Sequence, residues 1–91
     1  MIRRTDANHK SIIDLCRQIP NISVFSTHTI GKGFPDIVVG YKGKNYLFEI
    51  KDNKKTASQK KLTPDEVKFH SSWHGQVLII ETIEDIIKCI F

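Results

Sequence analysis

Residues 36–51, Asp36-Ile37-Val38-Val39-Gly40-Tyr41-Lys42-Gly43-Lys44-Asn45-Tyr46-Leu47-Phe48-Glu49-Ile50-Lys51, read as two strands joined by a tight turn. The first run is short and apolar, the kind of strand that is buried on both faces. Lys42-Gly43-Lys44-Asn45 makes the turn, and Tyr46 to Lys51 returns beside the first run. Pairing Tyr41 with Tyr46, the same register as Lys42 with Asn45, sets Lys51 opposite Asp36 and Glu49 opposite Val38. Directly opposed residues share a face. Asp36, Glu49 and Lys51 therefore gather on one side, and Tyr46, Phe48 and Ile50 point to the other. A turn one residue longer or shorter would send Asp36 to the wrong face.

Working outward, Ile12, Ile13, Cys16 and Ile19 recur at helical spacing, with Leu15 widening the stripe, and predict a helix from about His9 to Ile19. Thr5, Asp6 and Asn8 are its candidate caps, and Pro20 helps to end it. Residues 22–28 are β-branched and aromatic and read as a strand. Gly31-Lys32-Gly33-Phe34-Pro35 is a turn-rich link. Thr63-Pro64-Asp65-Glu66 places Thr at the N-cap, Pro at the first helical position and Glu three residues after the cap, a capping box that starts a helix running to about His74. Gly75 stops it. Residues 76–81 form a strand, and Thr82 caps a last helix striped by Ile83, Ile86, Ile87 and Ile90. The order is α-β-β-β-α-β-α. A helix joins the third and fourth strands, so these should be parallel, within a mixed central sheet flanked by helices.

The charged groups on the hairpin invite chemistry. Hard divalent cations take oxygen ligands, usually one or two carboxylates together with water and phosphate. Asp36 and Glu49 supply carboxylates, and the Ile50 carbonyl would add a neutral oxygen. Lys51 would orient a water or stabilise charge building on a phosphate. An ion pair on a solvated strand is the competing explanation for Glu-x-Lys. Here the flanking residues are apolar and the strand is central, where charges are costly unless paired or needed.

Pro35-Asp36 followed by Glu49-Ile50-Lys51 resembles the signature of the PD-(D/E)XK nuclease superfamily. The stretch from Gly31 to Gly40, Asp6-Ala7-Asn8, and Leu62-Thr63-Pro64-Asp65-Glu66 are similar to its VRR-NUC (virus-type replication-repair nuclease) branch, over nearly the whole chain. The resemblance implies a restriction-endonuclease-like core, Asp36 and Glu49 as ligands of Mg²⁺ or Mn²⁺, and Lys51 as the catalytic lysine. It also implies phosphodiester hydrolysis by a homodimer acting on branched DNA such as four-way junctions or flaps. Many members carry a glutamate in the first helix near the metal. This chain has none there, and Asp6 or Asn8 are the residues placed to substitute.

At 91 residues the chain is expected to form one domain, residues 1–91, small enough for a second copy or a ligand to help stabilise it. The net charge of +4 is compatible with a phosphate-bearing partner. Lys54, Lys55, Lys60 and Lys61 follow Lys51 closely, with Thr56, Ser58 and Gln59 among them, and are candidates to track a DNA backbone; Lys32 has the same status, and Gln59 is a possible auxiliary group. No apolar run approaches the ~18 residues of a membrane span, and no signal peptide is visible. Cys16 and Cys89 each sit in a helical apolar pattern and read as buried, reduced thiols, which suits a cytoplasmic protein. His70 and His74 read as an exposed helical pair, and Phe69 and Trp73 as core or dimer-face residues. A non-catalytic DNA-binding module with the same fold is the alternative to an endonuclease.

Overall fold

A computed structural model describes residues 7–91. Seven elements follow one another: α1 (His9–Arg17), β1 (Ser23–Ser26), β2 (Ile37–Tyr41), β3 (Lys44–Ile50), α2 (Pro64–Ser72), β4 (Val77–Ile80) and α3 (Ile83–Ile90). The strands form one mixed sheet in the order β1-β2-β3-β4, antiparallel at the first two junctions and parallel between β3 and β4. The mixed α/β architecture and the senses of the β2–β3 and β3–β4 pairings agree with the sequence reading, which left the pairing of β1 open.

The register of the central hairpin differs from it. Tyr41 pairs with Lys44, and Ile37 with Phe48, so Asp36 falls opposite Glu49 rather than Lys51. The cause is the turn, which has two residues instead of four. Lys42 (φ 50°) and Gly43 (φ 78°) are both left-handed, the geometry that matches the twist of paired strands. The Lys42 ammonium sits 5.4 Å from the centre of the Tyr41 ring, beside the turn. Two residues of slippage leave the side-chain alternation intact. The three charged residues therefore keep their common face.

Ile37, Val39, Tyr46, Phe48 and Ile50 meet Ile12, Ile13 and Cys16 of α1 and Ile86 and Ile90 of α3 in the core. The opposite face of β2 is only half covered, contrary to the doubly buried strand expected from its composition. α1, β1, α2 and β4 are shorter than expected, whereas β3 begins earlier, at Lys44, and α3 spans its whole isoleucine stripe. α2 stops at Ser72, and Trp73 turns to an extended conformation at its end (ψ 127°), so His74 lies outside the helix. Both arms of the Thr63–Glu66 capping box are present, as are those of Thr82–Asp85 at the start of α3. Asn8 is the N-cap of α1 without capping it: its side-chain amide donates instead to the carbonyls of Lys51 (3.0 Å) and Glu81 (2.9 Å). Those two bonds fasten α1 to the ends of β3 and β4. Thr5 and Asp6, the other candidate caps, lie outside the described residues.

α2 is held to the other side of the sheet through the link before β2. Gly33 (φ 80°) lies so close to α2 that a β-carbon there would fall 2.2 Å from the Asp65 carbonyl oxygen. Phe34 meets Phe69 edge-on at 5.2 Å, and Phe69 stacks on Trp73 at 5.0 Å. Gly31 shares the left-handed conformation (φ 82°) but has open space around it. Gly31→Ala should thus lose about 1 kcal/mol from its backbone alone, and Gly33→Ala at least twice that, because α2 must move as well. Urea denaturation of the two variants checks this; equal losses would show that the close approach to Asp65 is unimportant.

Candidate functional site

The end of the sheet where β2 begins and β3 ends collects the charged side chains. Asp36 just precedes β2, donating its backbone N–H to the Phe48 carbonyl (2.9 Å) and accepting on its carbonyl from Thr27 N–H (2.7 Å). Its carboxylate accepts from the Ile50 N–H at 2.8 Å. The backbone of Ile50 is therefore at the carboxylate, while its side chain is in the core. Glu49 is only 2 % exposed, and its Oε1 is buried without a hydrogen-bond partner among the described residues. Lys51, continuing the same alternation, donates to Glu66 Oε1 of α2 at 3.0 Å, with both side chains largely buried. The structure thus brings Asp36, Glu49 and Lys51 together and adds a third carboxylate.

Burial pushes the Glu49 carboxyl up to about 10. The adjacent Asp36 acts in the same sense through hydrogen bonding and charge, as does the charge of Glu66, and Lys51 only partly opposes them. Glu66 behaves otherwise. Burial raises it too, but the Thr63 amide and the Lys51 ammonium outweigh that effect and hold it below the usual carboxylate range. The same Oε1 accepts from Thr63 N–H (2.9 Å), so one oxygen closes the helix cap and receives the lysine. His70, one turn further along α2, has its Nε2 buried without a hydrogen-bond partner among the described residues. Burial lowers its pKa, Lys51 lowers it further, and Glu66 opposes.

Glu66 and His70 were both missed as site residues. Glu66 had a complete local explanation as the third residue of a capping box, and His70 was paired with His74 as an exposed helical couple. The available signal was their spacing of four, which aligns them on one side of α2.

The remaining candidates scatter. Asn8 is engaged with the strand ends through its amide nitrogen, and its Oδ1 is buried without a hydrogen-bond partner among the described residues. Asp6 is outside the described residues. In the 53–61 loop, Asp52 Oδ1 accepts from Lys54 N–H (2.9 Å), and Gln59 Oε1 accepts from Thr56 N–H (3.0 Å), tying Gln59 to its own turn. Lys54, Lys55 and Lys61 are exposed. Lys60 is not a freely presented cation, because its ammonium is 3.1 Å from Glu81 Oε1. Lys32 lies on the other flank, over the start of α2. Cys16 is buried, its thiol pushed up to about 11 by burial, and Cys89 is half-buried; both are free.

Among the described residues no three His, Cys, Asp or Glu side chains are arranged to hold a metal ion. Two facing carboxylates suit a hard cation that retains water and meets a substrate oxygen, whereas zinc needs a closed cage of three or four protein ligands. No protein-family model, curated protein sequence or solved structure matches this chain. Its own geometry is what bears on function.

Two outcomes follow from the charges. Above about pH 4.5 the unfolded chain ionises Glu49, whereas the folded chain keeps that proton until about pH 10, so the folded state loses stability as pH rises across this window. In EDTA the wild-type melting temperature should fall between pH 5 and pH 9, and that of Glu49→Gln should change less; parallel curves would contradict the assignment. Separately, Thr63→Ala removes only the cap and should cost about 1 kcal/mol, whereas Glu66→Ala also leaves Lys51 buried and unpaired and should cost about 3 kcal/mol. Equal urea midpoints for these two variants would show that the ion pair contributes nothing.

Proposed function

We propose that the chain is a metal-dependent DNA endonuclease with a restriction-endonuclease-like core of the VRR-NUC type, and that Asp36, Glu49 and Lys51 carry its phosphodiester hydrolysis. The observation that carries this reading is the state of Glu49: a buried carboxylate facing Asp36, with one oxygen lacking a hydrogen bond and a strongly raised pKa. A cation placed between the two acids would counter that shift, whose largest cause is burial, by favouring the ionised form of Glu49 beside Asp36. The sheet holds the pair in a place where they destabilise the fold, which fits a binding role better than a structural one.

Mg²⁺ or Mn²⁺, held by Asp36 and Glu49 with the Ile50 carbonyl as a further oxygen, would supply Lewis-acid polarisation of the phosphate ester. The Ile50 N–H bond to Asp36 Oδ2 fixes that carboxylate, so its orientation is set before substrate arrives. Lys51 presents an ammonium that can leave Glu66 for a phosphate oxygen or remain to orient the attacking water. In either position it offsets negative charge that builds in the transition state. His70, neutral at physiological pH by virtue of its lowered pKa, offers an uncharged nitrogen on the same side of α2 as Glu66. It leaves the cationic charge of the site to Lys51.

Branched DNA as substrate, a homodimer as the working form and action in the cytoplasm are parts of the same proposal; two sites related by a two-fold axis suit the near two-fold symmetry of a four-way junction. Among the described residues no helix is long and apolar enough to cross a membrane. The test is incubation with labelled duplex, flap and four-way-junction DNA in Mg²⁺, in Mn²⁺ and in EDTA. Cleavage should require the metal, and Glu49→Ala or Lys51→Ala should lower its rate by at least about 100-fold while leaving DNA binding in place. Wild-type protein that binds these DNAs and cuts none of them in either metal would instead support a non-catalytic binding module.

A further inference from the structure

The outer side of α2 carries a second feature. Asp65, Lys68, Phe69 and Ser72 recur at three- and four-residue spacing and line one face of the helix. Together with Lys32 they border a cavity of about 480 Å³. A further cavity of about 330 Å³, bordered by Ser72, Trp73, His74 and Gly75, adjoins it at Ser72. The result is a groove that runs along α2 from Lys32 to Trp73, about 12 Å by helical rise.

Its two ends differ chemically. At one end Lys32 and Lys68 set two ammonium groups against the single carboxylate of Asp65. Lys32 is presented there by three successive left-handed residues, Gly31, Lys32 and Gly33 (φ 82°, 56° and 80°), the last seated on the Asp65 carbonyl. At the other end Trp73 is 45 % exposed, although Phe69 stacks on it at 5.0 Å and 19° and Phe34 meets it edge-on at 6.4 Å. A ring pinned by its neighbours and still open to solvent has already lost its rotational freedom, so stacking a planar ligand on it costs little further ordering.

We propose that this groove binds a single-stranded stretch of DNA, with Lys32 and Lys68 on its phosphates and an unpaired base on Trp73. Free phosphate would engage the lysines and leave the indole idle, and an apolar ligand would do the reverse. A single strand uses both, because it carries anionic and aromatic groups in alternation along its length. An intact duplex has no unstacked base to offer. The groove would therefore bring strand ends, flaps and unpaired junction arms to the neighbouring carboxylates: Asp65 borders it, and the next residue, Glu66, is paired with Lys51. This inference rests on the endonuclease reading for its DNA partner.

Trp73 is the only tryptophan of the chain, so its intrinsic fluorescence reports on the groove directly. Titration with a short oligothymidylate in EDTA should quench it saturably, and added salt should weaken the effect. Blunt duplex of equal length should quench far less. Lys32→Gln combined with Lys68→Gln should weaken the single-strand quench about tenfold, and each substitution alone about threefold; the single variants carry the test if the double variant loses its helical circular dichroism. Glu49→Gln should quench as the wild type does, so failure of the chemistry and failure of the groove give different results. No quench by the single strand, equal quench by duplex, or a quench unchanged in the lysine variants would overturn the proposal. Tighter binding of oligouridylate than of oligothymidylate would overturn its assignment to DNA.

Discussion

Lys42 and Gly43 close the β2–β3 hairpin with two left-handed residues, and the placement of the charged groups follows from that turn. The turn sets Asp36 opposite Glu49, while the same alternation delivers Ile37, Val39, Tyr46, Phe48 and Ile50 to the core. The apolar set enforces the polar one. A one-residue slip of β3 would turn Tyr46, Phe48 and Ile50 toward the half-covered face, at ~1.5–3 kcal/mol for each large apolar group exposed, and would press the Glu49 carboxyl into the core. Two acids, one of which keeps its proton until about pH 10, are therefore held face to face by hydrophobic packing on the reverse side of the same ribbon.

The partners of the acids are arranged so that two of the three carboxylates are satisfied. Asp36 accepts from the Ile50 N–H, and Glu66 accepts from the Thr63 N–H and from Lys51. Of the three, Glu49 keeps a buried oxygen without a bond among the described residues. A buried acceptor left in that state is costly, and a site selected for stability alone would carry an amide or an apolar group there. The local strain thus falls on the residue best placed to be relieved by a cation. This economy is what separates the cluster from an ordinary buried ion pair, in which every charge finds its complement within the protein.

Much of the architecture was legible because short patterns were independent of tertiary detail. The capping box at Thr63–Glu66 and the isoleucine stripe of α3 are local signals; the box appears as read, and the stripe buries Ile86 and Ile90 but leaves Ile87 exposed. The common face of Asp36, Glu49 and Lys51 survived an error in register only because the error was of two residues, an even number. Contacts between distant segments were not legible. Nothing in the sequence pairs Lys60 with Glu81, 21 residues away, or directs the Asn8 amide to the carbonyls of Lys51 and Glu81 instead of to its own helix. Glu66 escaped notice for a different reason: a carboxylate has roughly four lone-pair sites, and its role in the cap uses only part of that capacity.

That spare capacity makes α2 the element on which both sides of the proposed chemistry converge. Glu66 and His70, four residues apart, belong to its side nearest Lys51, and Asp65, Lys68 and Ser72 to the side that borders the groove. Among the groups that join the helix to the rest of the protein are the Gly33 approach, the Phe34–Phe69–Trp73 rings and the Lys51–Glu66 pair. A ligand that draws Lys51 away from Glu66 loosens one of these attachments, and a strand in the groove bears on the other two. The strands set where the acids stand, and the helix supplies the partner that holds their lysine.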